Sequence, residues 1–132
     1  MKQYIAGFLD ADGTIGMNSK GVVSVEFYNA DKTILEKIQK HYGGRLVTRL
    51  SKKKEHNTSY TLRFSYNGAY NLIVDIQPYM LHKKKSQRAE LIVKHYKAYT
   101  PRNGKYSPEL REQKDWLIGQ IRDITMRGAG AY

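Results

Sequence analysis

The strongest constraint on the fold is a pair of alternating segments that occurs twice along the chain. Residues 14–20 and 23–28 alternate apolar with polar side chains, and residues 45–51 and 59–66 do so again. A period of two predicts strands, because successive side chains on a strand point to opposite sides. Lys20-Gly21 is typical of a hairpin turn between the first two. The sequence therefore predicts four antiparallel strands with one buried and one polar face.

Helical patterns precede, separate and follow these strands. The first predicted helix ends near Asp10, and Asp12-Gly13 then predicts a turn, since glycine accepts a positive φ. Asn29 or Asp31 can cap the second helix, and Pro108 suits the first position of the last one. The other predicted helices span residues 32–42, 69–76 and 86–99, and the last runs from 108 to about Met126. The order α-β-β-α-β-β-α-α-α predicts one α+β domain over residues 1–132, with a core in 1–99 and a C-terminal loop and helix in 100–132.

The charge of the chain restricts the class of partner. Lys and Arg number 23 against 12 Asp and Glu, which gives a net charge of +11. A surplus of this size in a small domain indicates a polyanionic partner, with nucleic acid foremost. A membrane partner is not expected, because no apolar run is long enough to span a membrane and neither end of the chain forms a basic amphipathic helix. The lack of cysteine excludes disulfides and thiolate metal sites, and no secretory signal is recognised, so an intracellular protein is expected.

The strand faces opposite the predicted core carry hydrogen-bonding side chains and several arginines. A two-stranded ribbon fits the major groove of DNA, where arginine pairs with guanine and asparagine or glutamate reads adenine or cytosine. An ordinary solvated sheet face is the alternative, because such faces are polar without binding anything. The predicted contact side chains are Thr14, Gly16, Asn18, Ser24, Glu26 and Tyr28 on the first pair and Arg45, Arg49, Ser51, Thr61, Arg63 and Ser65 on the second.

Two carboxylates, Asp10 and Asp12, stand two residues apart at the end of the first predicted helix. Hard divalent cations such as Mg²⁺ prefer oxygen ligands. A helix C-terminus also attracts cations through its exposed carbonyls and partial negative charge. A plain turn or a calcium-type loop is the alternative, although no spaced glutamate follows the motif.

The ten residues Tyr4 to Gly13, YIAGFLDADG, resemble the signature of the LAGLIDADG homing endonucleases, with apolar exchanges at the Leu and Ile positions. Further stretches resemble later segments of that family, and the resemblance fades beyond Tyr99; these stretches are residues 29–32, 35–38, 43–44, 77–81 and 89–91. The resemblance implies an αββαββα core whose four-stranded antiparallel sheet forms a DNA-binding saddle, with additional C-terminal helices. It also implies site-specific, Mg²⁺-dependent hydrolysis of double-stranded DNA.

Because only one signature occurs, the resemblance implies a homodimer acting on a roughly palindromic DNA site. It places Asp12 as the metal-binding acid, with the Ala11 carbonyl as a further ligand, and gives Asp10 a structural role. Paired first helices pack at the family's two-fold axis, although intrachain packing would equally explain the small residues Ala6 and Gly7. The implied catalytic set is Asp12, Lys85 and Asn29 or Asp31; Lys83 and Lys84 are expected to contact DNA; and the implied dimer interface comprises Ile5, Ala6, Leu9 and Asp10.

Two other functions remain open at this point. Relatives that have lost nuclease activity bind DNA or assist intron splicing as maturases, and an intact Asp12 argues against loss without excluding a maturase. A general RNA-binding domain is a weaker alternative. Apart from Tyr28, no aromatic pair suited to stacking on bases stands out on the polar strand faces.

Overall fold

The computed structural model describes residues 1–49 and 58–124. It contains a four-stranded antiparallel sheet in the order β1-β2-β4-β3, and the α+β class predicted from the sequence is confirmed. The helices are α1 (Lys2–Asp12), α2 (Lys32–Tyr42), α3 (Tyr66–Ile76), α4 (Lys83–His95) and α5 (Pro108–Asp123), with a 3₁₀ turn at Gln77–Tyr79; the strands are β1 (Gly13–Met17), β2 (Val23–Asn29), β3 (Arg45–Arg49) and β4 (Ser59–Ser65).

The core lies between the helices and one face of the sheet. The alternation on β2 buries Val23, Val25 and Phe27 completely. Phe27 is at the centre, because its ring meets Phe8 of α1 at 5.7 Å and Phe64 of β4 at 6.0 Å, both edge to face. Burying a side chain of this size contributes about 1.5–3 kcal/mol, so this face fixes the sheet against the helices and leaves the opposite face uncovered.

The helix α1 continues two residues beyond its predicted end and leads directly into β1. The predicted turn at Asp12-Gly13 is wrong, since Gly13 has an extended backbone with φ −122°. Glycine is required there for space, because a Cβ atom would lie 2.3 Å from Leu9 Cδ1. Asp12 is therefore the last residue of α1, at the point where the sheet begins.

Both α3 and α4 begin three residues earlier than the sequence pattern predicts. The chain passes from β4 into α3 through Tyr66, whose φ is +56°, and residues 67 and 68 lie in the first turn instead of ending the strand. The first turn of α4 contains Lys83, Lys84 and Lys85, and the His82 side chain caps it by accepting from Lys85 N at 3.2 Å. Lysines oppose the dipole at a helix start, which is why the pattern placed them outside the helix.

The remaining helix ends differ less from the prediction. Asp31, one of the two predicted caps, accepts a hydrogen bond from Thr33 N at 2.9 Å and begins α2. The helix α4 ends at His95 and not near Tyr99. The end of α5 predicted at Met126 lies outside the described residues. Within residues 1–49 and 58–124, no helix has the length and apolar character needed to cross a bilayer.

Candidate nucleic-acid interface and acidic centre

The sheet surface that the helices leave uncovered is called here the polar sheet face. The strand register places Thr14, Glu26, Arg63 and Arg45 in one row across all four strands. Glu26 Oε2 lies 3.5 Å from Arg63 Nε, whereas Arg45 stands directly opposite Arg63. Like charges on opposed strand positions are destabilising, so this row holds positive charge that a polyanion would neutralise.

The rest of the polar sheet face is formed by neighbours of that row. Tyr28 donates from its hydroxyl to Glu26 Oε2 at 3.1 Å, and that hydroxyl lies 3.4 Å from Thr14 Oγ1. Ser24 is opposite Ser65 at one end of the sheet. The register thus brings together most of the residues predicted to contact DNA, namely Thr14, Gly16, Ser24, Glu26, Tyr28, Arg45, Arg49, Arg63 and Ser65.

Two of the described residues that were predicted to contact DNA do not belong to this surface. Thr61 is fully buried between Tyr28 and Val47 on the adjacent strands, so the prediction that it touches DNA is wrong. Asn18 lies beyond the end of β1, and its Oδ1 accepts from Lys20 N and Val22 N, which closes the β1–β2 turn. Ser51 lies outside the described residues.

The C-terminal end of α1 is contacted by a lysine from the start of α4. Lys85 Nζ donates to Leu9 O at 3.0 Å and to Asp10 O at 2.9 Å. Burial lowers the pKa of Lys85, and the nearby carboxylates of Asp10 and Asp12 partly oppose that shift. A lysine and the acidic motif, more than 70 residues apart in the chain, therefore meet at one place, which we call the acidic centre.

The two carboxylates of the acidic centre have different surroundings. Asp10 Oδ2 accepts from Leu81 N at 2.7 Å and so holds the segment before α4, while its Oδ1 is buried without a partner among the described residues. Asp12 and Ala11 are exposed. A carboxylate and a carbonyl oxygen suit a hard divalent cation. Within residues 1–49 and 58–124, no three acidic or histidine side chains lie close enough together to hold a metal ion.

Asn29 is the last residue of β2. By strand alternation it lies on the side of β2 that faces the helices, with Val25 and Phe27. Its Oδ1 accepts from Asp31 N at 2.7 Å and shapes the entry to α2. Asp31 caps α2 by accepting from Thr33 N, and the catalytic assignment of Asn29 or Asp31 stays a prediction. Lys83 is exposed and Lys84 partly exposed on the first turn of α4, beside Lys85.

Three of the residues predicted to form the dimer interface on α1 face the core of the chain instead. Ile5, Ala6 and Leu9 are 0% exposed within the single chain, so these three residues belong to its own core and the interface prediction for them is wrong. The exposed side of the helix carries Tyr4, Gly7 and Ala11, and a Cβ atom added to Gly7 would meet nothing within 4 Å.

A partly buried arginine and a fully buried lysine were not anticipated from the sequence. Arg88 donates from Nη1 to Ile15 O at 2.9 Å and from Nε to Ile124 O at 2.8 Å, which ties α5 to the edge strand β1. Lys114 is 0% exposed, and burial with the nearby Arg111 charge lowers its pKa to about 8. The spacing of Lys114 with Leu117, Ile118 and Ile121 places it on an apolar helical stripe. This spacing is the sequence feature that could have predicted its burial.

Comparison with solved structures gives the same fold. A crystal structure of the homing endonuclease I-CvuI in complex with its target in the presence of calcium matches with a TM-score of 0.70 at 20% identity, covering 97% of this chain and 83% of that one. I-CvuI in complex with the I-CreI target in the presence of magnesium, with the DNA not cleaved, matches with a TM-score of 0.72 at 19% identity and the same coverage. The archaeal intron-encoded homing endonuclease I-Vdi141I, in complex with DNA, has a TM-score of 0.59 at 17% identity, over 99% of this chain and 87% of that one.

Comparison with curated protein sequences gives no match. The family model described as a LAGLIDADG-like domain matches residues 1–77, which include the acidic motif, all four strands and most of the core. That match covers more than half of the chain, and the resemblance noted from the signature residues is confirmed. The protein belongs to the LAGLIDADG family.

Proposed function

We propose that this protein is a homing endonuclease that hydrolyses double-stranded DNA at a specific site, as a Mg²⁺-dependent homodimer. The observation that carries this proposal is the acidic centre. Lys85 binds the carbonyls of Leu9 and Asp10 beside the exposed Asp12, where α1 enters the sheet. Metal-assisted cleavage of a phosphodiester uses acidic ligands for the metal and gains from a cation near the phosphate, and both kinds of residue lie at the border of the polar sheet face.

The polar sheet face is the surface on which we place the duplex. Arg45, Arg49 and Arg63 are exposed on it, and arginine forms bidentate hydrogen bonds with guanine in the major groove. Thr14 continues directly from the acidic motif into this face through Gly13. A duplex held by the arginines would therefore pass over the acidic centre. The solved neighbours of this fold include complexes with DNA, which agrees with that placement.

The residues of the acidic centre have separate roles in the proposed reaction. Asp12 and the Ala11 carbonyl would hold a divalent cation, which when bound activates water and stabilises the leaving oxygen. Lys85 fixes the carbonyl end of α1 and places a positive charge where the phosphate gains negative charge. Asp10 keeps Leu81 and the start of α4 in position through its hydrogen bond to Leu81 N. Water adds to phosphorus, one P–O bond of the backbone breaks, and the leaving oxygen gains the proton that the water loses.

A single chain supplies one Asp12, so cleavage of both strands requires a second copy. We place the two-fold contact on what we call the α1 patch, the exposed residues Tyr4, Gly7, Ala11 and Leu81. Leu81 is 90% exposed although it is apolar, and its backbone is fixed to Asp10. The small Gly7 and Ala11 allow two helices to approach closely. Packing two α1 patches together would bring both acidic centres to one axis.

The direct test is a cleavage assay on DNA that flanks the protein's own gene, joined with the insertion removed. We expect double-strand cleavage with Mg²⁺ and only binding when the metal is chelated. Binding without cleavage in Mg²⁺ would favour a DNA-binding protein of this fold that has no nuclease activity. Promotion of intron splicing would favour a maturase. No binding to any duplex would contradict the placement of DNA on the polar sheet face.

A further inference from the structure

A basic pocket lies at the end of the molecule where α4 gives way to the loop before α5, and we call it the α4–α5 pocket. It has a volume of about 470 Å³ and is lined by Asn67, Tyr96, Lys97, Thr100, Pro101 and Arg102. Two of the lining residues are basic and none is acidic. A concave site with hydrogen-bond donors and one sign of charge concentrates the opposite charge, which here is an anion.

Lys97 on the rim of this pocket is restrained by its neighbours. Lys97 Nζ donates to Asn67 Oδ1 at 3.4 Å and lies 5.1 Å from the centre of the Tyr70 ring. These contacts restrain the lysine without neutralising it, because an amide and an aromatic ring carry no net charge. Among the described residues Lys97 and Arg102 form no ion pair, in contrast with Lys94, whose Nζ is 2.8 Å from Glu90.

A buried ammonium lies beneath the pocket. Lys114 is fully buried and donates to Thr100 Oγ1, and its Nζ is 4.6 Å from the centre of the Tyr96 ring. In the described part of the chain it has no carboxylate partner. A buried charge without a counter-ion is costly, and an anion in the pocket above Thr100 would reduce that cost. Burial accordingly lowers the pKa of Lys114 from its usual range.

The α4–α5 pocket adjoins the polar sheet face. Ser65 ends β4 on that face, opposite Ser24, and Asn67 lines the pocket only two residues later. The residue between them, Tyr66, is 62% exposed and has a φ of +56°, an unfavourable backbone for a residue other than glycine. Such local strain persists where the surroundings enforce it and is common at binding sites. A strand of nucleic acid leaving the polar sheet face at Ser65 would reach the pocket next.

We propose that the α4–α5 pocket binds a phosphate group of the nucleic-acid backbone, at the flank of the duplex that lies on the polar sheet face; this rests on the proposed function. Lys97 and Arg102 contact the phosphate oxygens directly, and Thr100 donates its hydroxyl while accepting from Lys114. Charge-assisted hydrogen bonds of this kind are the strong ones. The contact carries no sequence information, so it positions the duplex and does not read it.

The test compares the salt dependence of binding to a duplex of mixed sequence, measured by fluorescence anisotropy on the full chain. Each phosphate contact contributes about 0.9 to the slope of log K against log salt. Because both side chains contact the same phosphate, we expect Lys97→Gln with Arg102→Gln to lower the magnitude of that slope by about 0.9 per bound chain. The matched control is Lys37→Gln with Lys40→Gln, which removes the same charge from the exposed side of α2, away from the sheet. It should leave the slope near that of the wild type, and thermal unfolding verifies that both variants are folded.

A third variant separates failure of this inference from failure of the proposed function. If Arg45→Gln with Arg63→Gln weakens binding while the pocket variant matches the control, the duplex lies on the polar sheet face and the pocket assignment is overturned. If neither variant changes binding, the duplex does not lie on this side of the molecule, and both proposals fail.

Inorganic phosphate distinguishes a backbone phosphate from a free anion as the occupant. We expect the amide resonances of Asn67, Thr100 and Arg102 to shift weakly with sodium phosphate relative to sodium chloride at equal ionic strength, and to shift strongly with duplex. Thr100→Val should reduce both shifts. Tight saturation by inorganic phosphate together with an unchanged salt slope in the pocket variant would overturn the backbone assignment.

Discussion

The acidic centre and the polar sheet face differ in how the chain holds their side chains. At the acidic centre, Lys85 and Asp10 are each fixed by hydrogen bonds to distant segments, at 2.9 Å from Lys85 Nζ to Asp10 O and 2.7 Å from Leu81 N to Asp10 Oδ2. On the polar sheet face, Arg45 and Arg49 are exposed, and among the described residues only Arg63 has an ionic partner. A rigid centre beside an open surface is what the proposed function requires. The reaction would need fixed groups, whereas recognition of a DNA sequence would depend on exposed side chains that can be exchanged. Substitutions should therefore act steeply in the first region and gradually in the second.

The largest effect in this comparison is expected from Lys85→Met. It removes the charge beside the proposed position of the phosphate and leaves the carbonyls of Leu9 and Asp10 without their donor. Loss of one preorganised electrostatic contact typically costs about 10²–10³ in the rate of the chemical step. Single-turnover cleavage should fall by that amount while duplex binding persists. Lys84→Met on the same helix turn is the control, and an equal loss there would show that Lys85 has no special role.

The second expected effect concerns the α1 patch. Gly7→Arg introduces a long charged side chain where two α1 helices would meet, and we expect the dimer dissociation constant to rise by about 100-fold or more. Gly119 is a matched control, because it is likewise an exposed glycine within a helix with nothing within 4 Å of an added Cβ atom. Sedimentation equilibrium measures both variants. A dimer that survives Gly7→Arg but not Gly119→Arg would move the interface to α5.

A graded effect is expected on the polar sheet face. Arg45→Ala and Arg63→Ala should each cost about 1–3 kcal/mol of discrimination between target and non-target duplex if the arginine contacts guanine. Arg63→Ala also frees Glu26 from its ion pair, so its effect includes repulsion between that carboxylate and DNA. Competition binding with single-base-pair target variants measures this. Equal weakening on all sequences would show contacts to phosphates and not to bases.

The smallest effect is expected at Thr61, which is buried between its strand neighbours on the polar sheet face. Its Oγ1 has no hydrogen-bond partner among the described residues, and an unsatisfied buried hydroxyl costs about 1–3 kcal/mol. Thr61→Val should therefore leave binding unchanged and raise or preserve the free energy of unfolding. Thr48→Val, at an exposed threonine of the neighbouring strand β3, is the control. A drop in stability at Thr61 alone would indicate a hydrogen bond to water or to another group.

Local patterns predicted the sheet well because strand alternation reports which side is buried. Val23, Val25 and Phe27 follow it fully, and the contact residues of the polar sheet face follow from the same alternation. Thr61 departs from it because its neighbours on both adjacent strands cover it, and single-strand periodicity contains no information about neighbours.

Tertiary contacts explain the other departures. A helix pattern does not tell which of its sides meets the chain's own core, so Ile5, Ala6 and Leu9 were assigned to an interface that the structure excludes. The family resemblance singled out Lys85, but its contact with the end of α1 depends on where α4 packs. Lys114 and Arg88 were missed because a charged residue is ordinarily expected in solvent.

The central claim is that Asp12 provides the metal-binding acid of a DNA-cleaving site. The most direct measurement is Mg²⁺-dependent cleavage by Asp12→Asn, with duplex affinity measured on the same preparation and Glu36→Gln, an exposed acid on α2, as the control. The account predicts that Asp12→Asn retains duplex binding and loses cleavage, while Glu36→Gln retains both. Cleavage at the wild-type rate by Asp12→Asn would contradict it.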